Sequence, residues 1–129
     1  KYLEIICLDE QKTLKRKELH EGIIRDIIMV SEKIIATSSA DMTIKLLNIE
    51  TFEILDSFQD ETEYLNRLAV YGDCIVSSSC EKIKFWNMQT GKCIKILKHK
   101  KEGWVKCITV LKDGSLLSCG KENAIYIWK

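Results

Sequence analysis

The sequence predicts an all-β chain made of small antiparallel sheets that recur about every 40 residues. Three observations carry this. First, an apolar-basic-apolar run closes with a large side chain and then a polar turn at Ile83-Lys84-Phe85-Trp86-Asn87. It has counterparts at Ile44-Lys45-Leu46-Leu47-Asn48 and Ile125-Tyr126-Ile127-Trp128-Lys129, with a worn copy at Leu3-Glu4-Ile5-Ile6-Cys7. Second, the run before each full copy is apolar at offsets 0, 3 and 5: Ile24, Ile27, Met29; Leu65, Leu68, Val70; Val105, Ile108, Val110. Third, the segment between them begins apolar and ends in small residues, as in Thr37-Ser38-Ser39 and Ser77-Ser78-Ser79.

The elements follow in chain order. Residues 3–8 and 13–19 read as two strands joined by a polar turn. Each later unit opens on the 0, 3, 5 run. Strict strand alternation would give 0, 2, 4, and one inserted residue, a β-bulge, restores it. Arg25-Asp26, Asn66-Arg67 and Lys106-Cys107 would occupy the bulges. A helix fits a 0, 3 spacing, but the runs are short and Gly72-Asp73 and Asp113-Gly114 are hairpin signals. The second strand covers 33–39, 73–79 and 114–119. A tight turn leads to the third strand, and the fourth covers 52–58 and 93–97. Small residues in the second strand permit close approach of a neighbouring sheet or a buried hydroxyl bond.

A four-stranded sheet with two apolar faces cannot hide both alone and must stack on its neighbours. Radial stacking of such sheets is a β-propeller. The predicted units are 1–19, the last two strands of a preceding blade; 20–58, a blade; 59–97, a blade; and 98–129, a blade lacking its outermost strand. Three blades do not close a ring, for which about four is the lower bound. Either further blades lie outside the 129 residues, or several chains complete the ring.

Composition bounds the rest. With 46% apolar and 30% charged residues, the chain is globular. A net charge of +1 gives no global pull towards nucleic acid or a membrane surface, and no apolar run approaches the roughly 18–20 residues that span a bilayer. The six cysteines lack C-x-x-C or zinc-finger spacing. Most lie in apolar strand runs, so buried free thiols in a reducing compartment are expected. No metal or cofactor is expected.

These features together resemble the WD-repeat β-propeller family. His20 stands where the family histidine is expected, four residues before Ile24. Thr37-Ser38-Ser39-Ala40-Asp41 resembles the serine-rich strand end and turn aspartate, and Trp86-Asn87 and Trp128-Lys129 resemble the closing dipeptide with its acid replaced. Met88-Gln89-Thr90-Gly91-Lys92-Cys93 resembles the link to the outermost strand. The resemblance implies a buried network tying each blade together, carried here by His20, Thr37, Ser39, Asp41, Trp86 and Trp128. No unit holds every part. Leu47 replaces the first tryptophan; Glu61 stands at the second histidine position, with Glu81 nearest the turn acid; Glu122 takes the third aspartate position, and His99 is displaced by an insertion. Blades held mainly by apolar packing are therefore expected.

His20, Ser39 and Asp41 could suggest a hydrolase triad, but neither a nucleophile elbow nor a phosphate loop accompanies them. A structural network accounts for the same residues. The basic loop around Trp104, with Lys100, Lys101 and Lys106, could hold an acidic or phosphorylated ligand; a solvated loop is the plainer alternative. The preceding loop is acidic at Asp56, Asp60, Glu61 and Glu63, and the two loops could neutralise each other. The resemblance further implies that Arg25, Asn66, Arg67 and Lys106 face the channel and the partner rim. The function expected is a non-enzymatic platform for a protein or peptide in the cytoplasm or nucleus. The alternatives are a permanent subunit of a ciliary, coat or ribonucleoprotein particle, or the regulatory end of a larger enzyme. Neither a membrane nor a nucleic acid is expected as partner.

Overall fold

The computed structural model describes residues 2–60, 63–99, 103–121 and 124–129. Its ordered elements are all strands: β1 (Tyr2–Ile6), β2 (Thr13–Glu18), β3 (Ile24–Met29), β4 (Ile34–Ser39), β5 (Thr43–Asn48), β6 (Ile54–Gln59), β7 (Leu68–Tyr71), β8 (Cys74–Ser78), β9 (Lys82–Asn87), β10 (Cys93–Lys98), β11 (Val105–Val110), β12 (Leu116–Gly120) and β13 (Ile125–Trp128). They form a β1–β2 hairpin, two four-stranded antiparallel meanders, β3 to β6 and β7 to β10, and a three-stranded meander, β11 to β13. Within each sheet, strand neighbours in sequence are neighbours in space, as in the blades of a propeller.

Both faces of the first two meanders are apolar because each is pressed between a sheet on either side. On β4 and β5, the opposed pair Ile35 and Leu47 turns back towards the hairpin, with Leu3 and Leu19. The next pair, Ala36 and Leu46, turns forward and meets Leu65, Leu68, Ile75 and Trp86 of the second meander. The alternation repeats there: Val76, Ile83 and Phe85 face forward onto Val105, Ile108 and Leu116. One residue of register shift would reverse every face.

The innermost strands are β3, β7 and β11, which line one shared recess through Ile28, Leu68, Val70, Ile108 and Val110. The bulges lie at their starts. Pairing jumps from Ile24 to Asp26, passing over Arg25, and from Val105 to Cys107, passing over Lys106. In the second meander regular pairing begins only at Leu68. Just before it, Asn66 N–H donates to Ser78 O and Ser78 N–H to Arg67 O, so two residues again oppose one. Offsets 0, 3 and 5 do not all become core. Leu65, Leu68, Val105 and Ile108 are buried, whereas Ile27 and Met29 are 52% and 56% exposed. These two point to the side where β1 and β2 provide no inner strand to cover them.

The turns after β5 and β9 share one construction. Asn48 Oδ1 accepts from Glu50 and Thr51 N–H, and Asn87 Oδ1 accepts from Gln89 and Thr90 N–H. An asparagine therefore does the turn-capping work of the replaced acid. The residue that follows must be left-handed. Gly91 has φ +65°, which suits glycine, while Phe52 has φ 65° at the equivalent place. Phe52 is held there by packing on the hairpin-side core.

The cysteines depart from expectation. Cys93 and Cys107 are exposed and Cys7, Cys74, Cys80 and Cys119 are half-buried, all as free thiols. Cys74 packs against the core between the second and third meanders, but none of the six is fully buried.

Candidate functional site

The structure separates the polar residues into buried ties within sheets and an exposed collar at the innermost strands. In the first meander His20 is 1% exposed. Its Nδ1 lies 3.0 Å from Asp41 Oδ2 and its Nε2 lies 2.8 Å from Thr37 Oγ1. Asp41 also accepts from Glu21 N–H, Thr43 N–H and the Thr43 hydroxyl, the last at 2.6 Å. Burial alone would raise the Asp41 pKa, but the Thr43 and His20 hydrogen bonds outweigh it and hold the carboxyl well below the usual range. Burial pushes the His20 imidazole down, against the pull of Asp41. A neutral ring with the proton on Nδ1 then donates to Asp41 and accepts from Thr37. Ser39 Oγ receives Asp41 N–H at 3.1 Å and takes no part in a triad. With Nε2 turned onto Thr37 inside the sheet, a substrate has no route to it.

The second meander carries a different solution. Trp86 Nε1 donates to Ser77 Oγ at 2.8 Å. Asp60 follows β6 as His20 follows β2; Glu61, expected at the histidine position, lies outside the described residues. Asp60 is 1% exposed and Lys84 7%, and Lys84 Nζ reaches both carboxylate oxygens at 2.8 and 2.7 Å. Glu63, rather than Glu81, ties the turn, accepting from the Ser79 hydroxyl and the Lys82 ammonium. Burial opposes ionisation of Glu63, and the Lys82 and Ser79 hydrogen bonds override it to lower its pKa. Asp60 and Glu63 of the acidic loop are thus paired with lysines of the second meander; Lys100 and Lys101 of the basic loop, which the sequence had suggested as their counterpart, lie outside the described residues.

In the third meander His99 joins the network that the sequence had denied it. Its Nε2 meets Ser118 Oγ at 2.7 Å, the same hydroxyl that accepts Trp128 Nε1–H at 2.8 Å. The ring also packs against Tyr126, with centroids 4.6 Å apart. Glu122 lies outside the described residues. The networks are therefore fuller than the family pattern alone implied. The equivalence of Asp60 and His99 is fixed by main chain, since Asp60 N–H donates to Met42 O and His99 N–H to Glu81 O, each in the turn of the preceding sheet.

The collar is built by the bulges. Arg25, Arg67 and Lys106 are exposed and Asn66 is half-buried. Hydrogen bonds between meanders bring their positions together. Asp26 Oδ2 accepts Leu68 N–H at 2.8 Å, and Asp26 Oδ1 lies 3.5 Å from Arg67 Nη1. Ser38 Oγ donates to Asn66 O at 3.2 Å, and Asn66 Nδ2 donates to Val105 O at 3.1 Å. Asn66 thus bridges all three sheets. Trp104, one residue before β11, is 40% exposed. Lys100 and Lys101 lie outside the described residues. Among the described residues, no group of three or more His, Cys, Asp or Glu side chains is placed to hold a metal, and no helix is long and apolar enough to cross a membrane.

Comparison with known proteins places this architecture. Residues 91–129 match the WD domain, G-beta repeat. The WD40 β-propeller domain of Doa1 superposes with a TM-score of 0.80 at 29% identity, over 93% of this chain and 41% of that one. The probable cytosolic iron-sulfur protein assembly protein 1 of Kluyveromyces lactis is 24% identical over 92% of this chain and 40% of its own length. The nuclear distribution protein nudF of Emericella nidulans is 33% identical over 36% of this chain and 11% of its own. The chain spans less than half of each of these relatives. Its repeated meanders, its Trp–Ser and His–Ser ties and these likenesses agree on a WD-repeat β-propeller fold, with the family model itself matching residues 91–129.

Proposed function

We propose that this chain is a non-enzymatic interaction platform that holds a protein or peptide on the collar formed by Arg25, Asn66, Arg67, Lys106 and Trp104. One observation carries the reading: three successive bulges release cationic side chains at the same end of three stacked innermost strands. Asp26, a carboxylate beside them, is already engaged by Leu68 N–H and Arg67. The remaining positive charge and the exposed indole suit an acidic peptide. An anion would gain charge-assisted bonds there, and the ring would supply contact area at low entropic cost. The buried ties have no open access and serve stability, which supports a non-catalytic reading. Work in the cytoplasm or nucleus fits the free thiols and the relatives named for cytosolic and nuclear processes.

The test uses a fluorescein-labelled oligo-glutamate peptide and anisotropy at low and high salt. Charge reversal at Arg25, Arg67 and Lys106 together should weaken binding by at least about tenfold, and added salt should do the same. Binding that ignores both changes removes the collar as the site.

A further inference from the structure

The collar is cationic at its flanks and neutral at its centre. Arg25, in the bulge of the first meander, stays exposed although the second meander packs onto its sheet. Lys106 occupies the same place in the third. The second meander has Asn66 there, an uncharged amide whose Nδ2 already donates to Val105 O at 3.1 Å. The cation beside it, Arg67, is engaged by Asp26 of the first meander. Nη1 lies 3.5 Å from Oδ1, with the two side chains 50% and 17% exposed. Asp26 is pinned at the seam, because its Oδ2 accepts Leu68 N–H at 2.8 Å. Asp26 and Arg67 stand at the same step of successive repeats, each two residues after the first apolar position, Ile24 or Leu65. Opposite charges at that step therefore meet across the seam, and both belong to sheets that have all four strands.

We propose that Asp26 is a specificity-determining residue of the collar: by holding Arg67 it makes the centre read an uncharged residue, so that the site takes an extended peptide with acidic ends and a neutral middle. This names the partner class for the collar of the platform reading, on which it rests. The acidic ends of such a peptide meet Arg25 and Lys106. An acid set opposite Arg67 must first take the guanidinium from Asp26, which cannot follow it. A hydroxyl or amide there pays no such penalty, because the guanidinium has further N–H groups to donate while Asp26 keeps its own. The pair is half-open to water, so the discrimination is a severalfold change in binding rather than an absolute one.

Two fluorescein-labelled probes test this on the full chain by anisotropy: an oligo-glutamate peptide, and the same peptide with its central residues replaced by serine. The wild type should bind the two within about twofold of each other. Asp26→Asn keeps an oxygen for Leu68 N–H and frees Arg67, so it should favour oligo-glutamate over the serine-centred peptide by about threefold or more. In an Arg67→Gln background most of that shift should vanish. A second comparison leaves Asp26 in place: Arg67→Gln alone should weaken oligo-glutamate binding less than Arg25→Gln does. Circular dichroism and urea midpoints keep a folding defect apart from an altered preference. An equal gain for both peptides, or a shift of full size in Arg67→Gln, would reduce Asp26 to a general repulsive charge and overturn the proposal. Weaker oligo-glutamate binding by Asp26→Asn would also overturn it, since Asp26 would then be aiming Arg67 at the acid. Oligo-glutamate binding that ignores charge reversal at Arg25, Arg67 and Lys106 removes the collar itself, and this selection with it.

Discussion

Replacing Asp41 with asparagine tests the buried network where its electrostatics are best defined. The side chain keeps its shape but loses its charge and one acceptor oxygen. Oδ1 now accepts two bonds from Thr43, and Oδ2 accepts from Glu21 N–H and faces His20 Nδ1. Whichever way the amide turns, its NH2 meets donors that have just lost their acceptor. A donor stranded in a mostly buried site costs about 1–3 kcal/mol. Asp41 is 13% exposed at its side chain, so little is lost to solvent screening. We expect a loss of about 3 kcal/mol at pH 7, and with a urea slope near 2 kcal/mol per molar the midpoint should fall by about 1.5 M. The pH dependence is the sharper signature. The folded pKa of Asp41 lies below its ordinary value of 3.8, so its contribution is complete above that value and is lost as pH falls through the folded one. The wild type and Asp41→Asn should therefore converge in strong acid. Urea titrations followed by tryptophan fluorescence at several pH values measure this. A gap that stays constant from neutral to acid pH, or one under about 0.5 kcal/mol at pH 7, would refute the reasoning.

Two further substitutions probe the second meander. Lys84→Met removes the ammonium that both Asp60 oxygens reach, and breaking such a buried pair costs about 3–5 kcal/mol; the double variant Asp60→Leu with Lys84→Met should recover most of it, and a double as unstable as the sum of the singles would show that the pair is not coupled. Trp86→Ala empties the interface between the first two meanders and strips Ser77 of its donor, with an expected loss of about 3–5 kcal/mol by thermal or urea unfolding; a loss below about 1 kcal/mol would mean that the inter-sheet core does not depend on it.

The repeat was legible because its signals are local. A strand that closes on tryptophan and an asparagine-capped turn depend on adjacent residues, so Trp86-Asn87 announces them. The bulges were legible from Ile24, Leu65 and Val105, because an inserted residue shifts apolar spacing in a countable way. His99 and Asp60 were missed for a physical reason. Each hangs by its N–H from a carbonyl in the preceding turn, Glu81 or Met42. Its place is therefore counted from the end of the strand before it, whereas the resemblance counts to the strand after it. His99 follows β10 directly and Asp60 follows β6 directly, so that count would have found both. The exposure of Ile27 and Met29 depends on what covers the sheet, which no local pattern encodes. For the collar, the sequence supplied Arg25, Arg67 and Lys106, but not the hydrogen bonds by which Asp26 and Asn66 join one sheet to the next.

An unpaired residue at the head of each innermost strand separates two kinds of selection. Arg25 and Lys106 take no part in the ladder, so other side chains could stand there while every strand kept its partner and every apolar face its cover. A scaffold made this way can change the side chain it presents there one blade at a time, and relatives with the same packing are free to differ most at those positions.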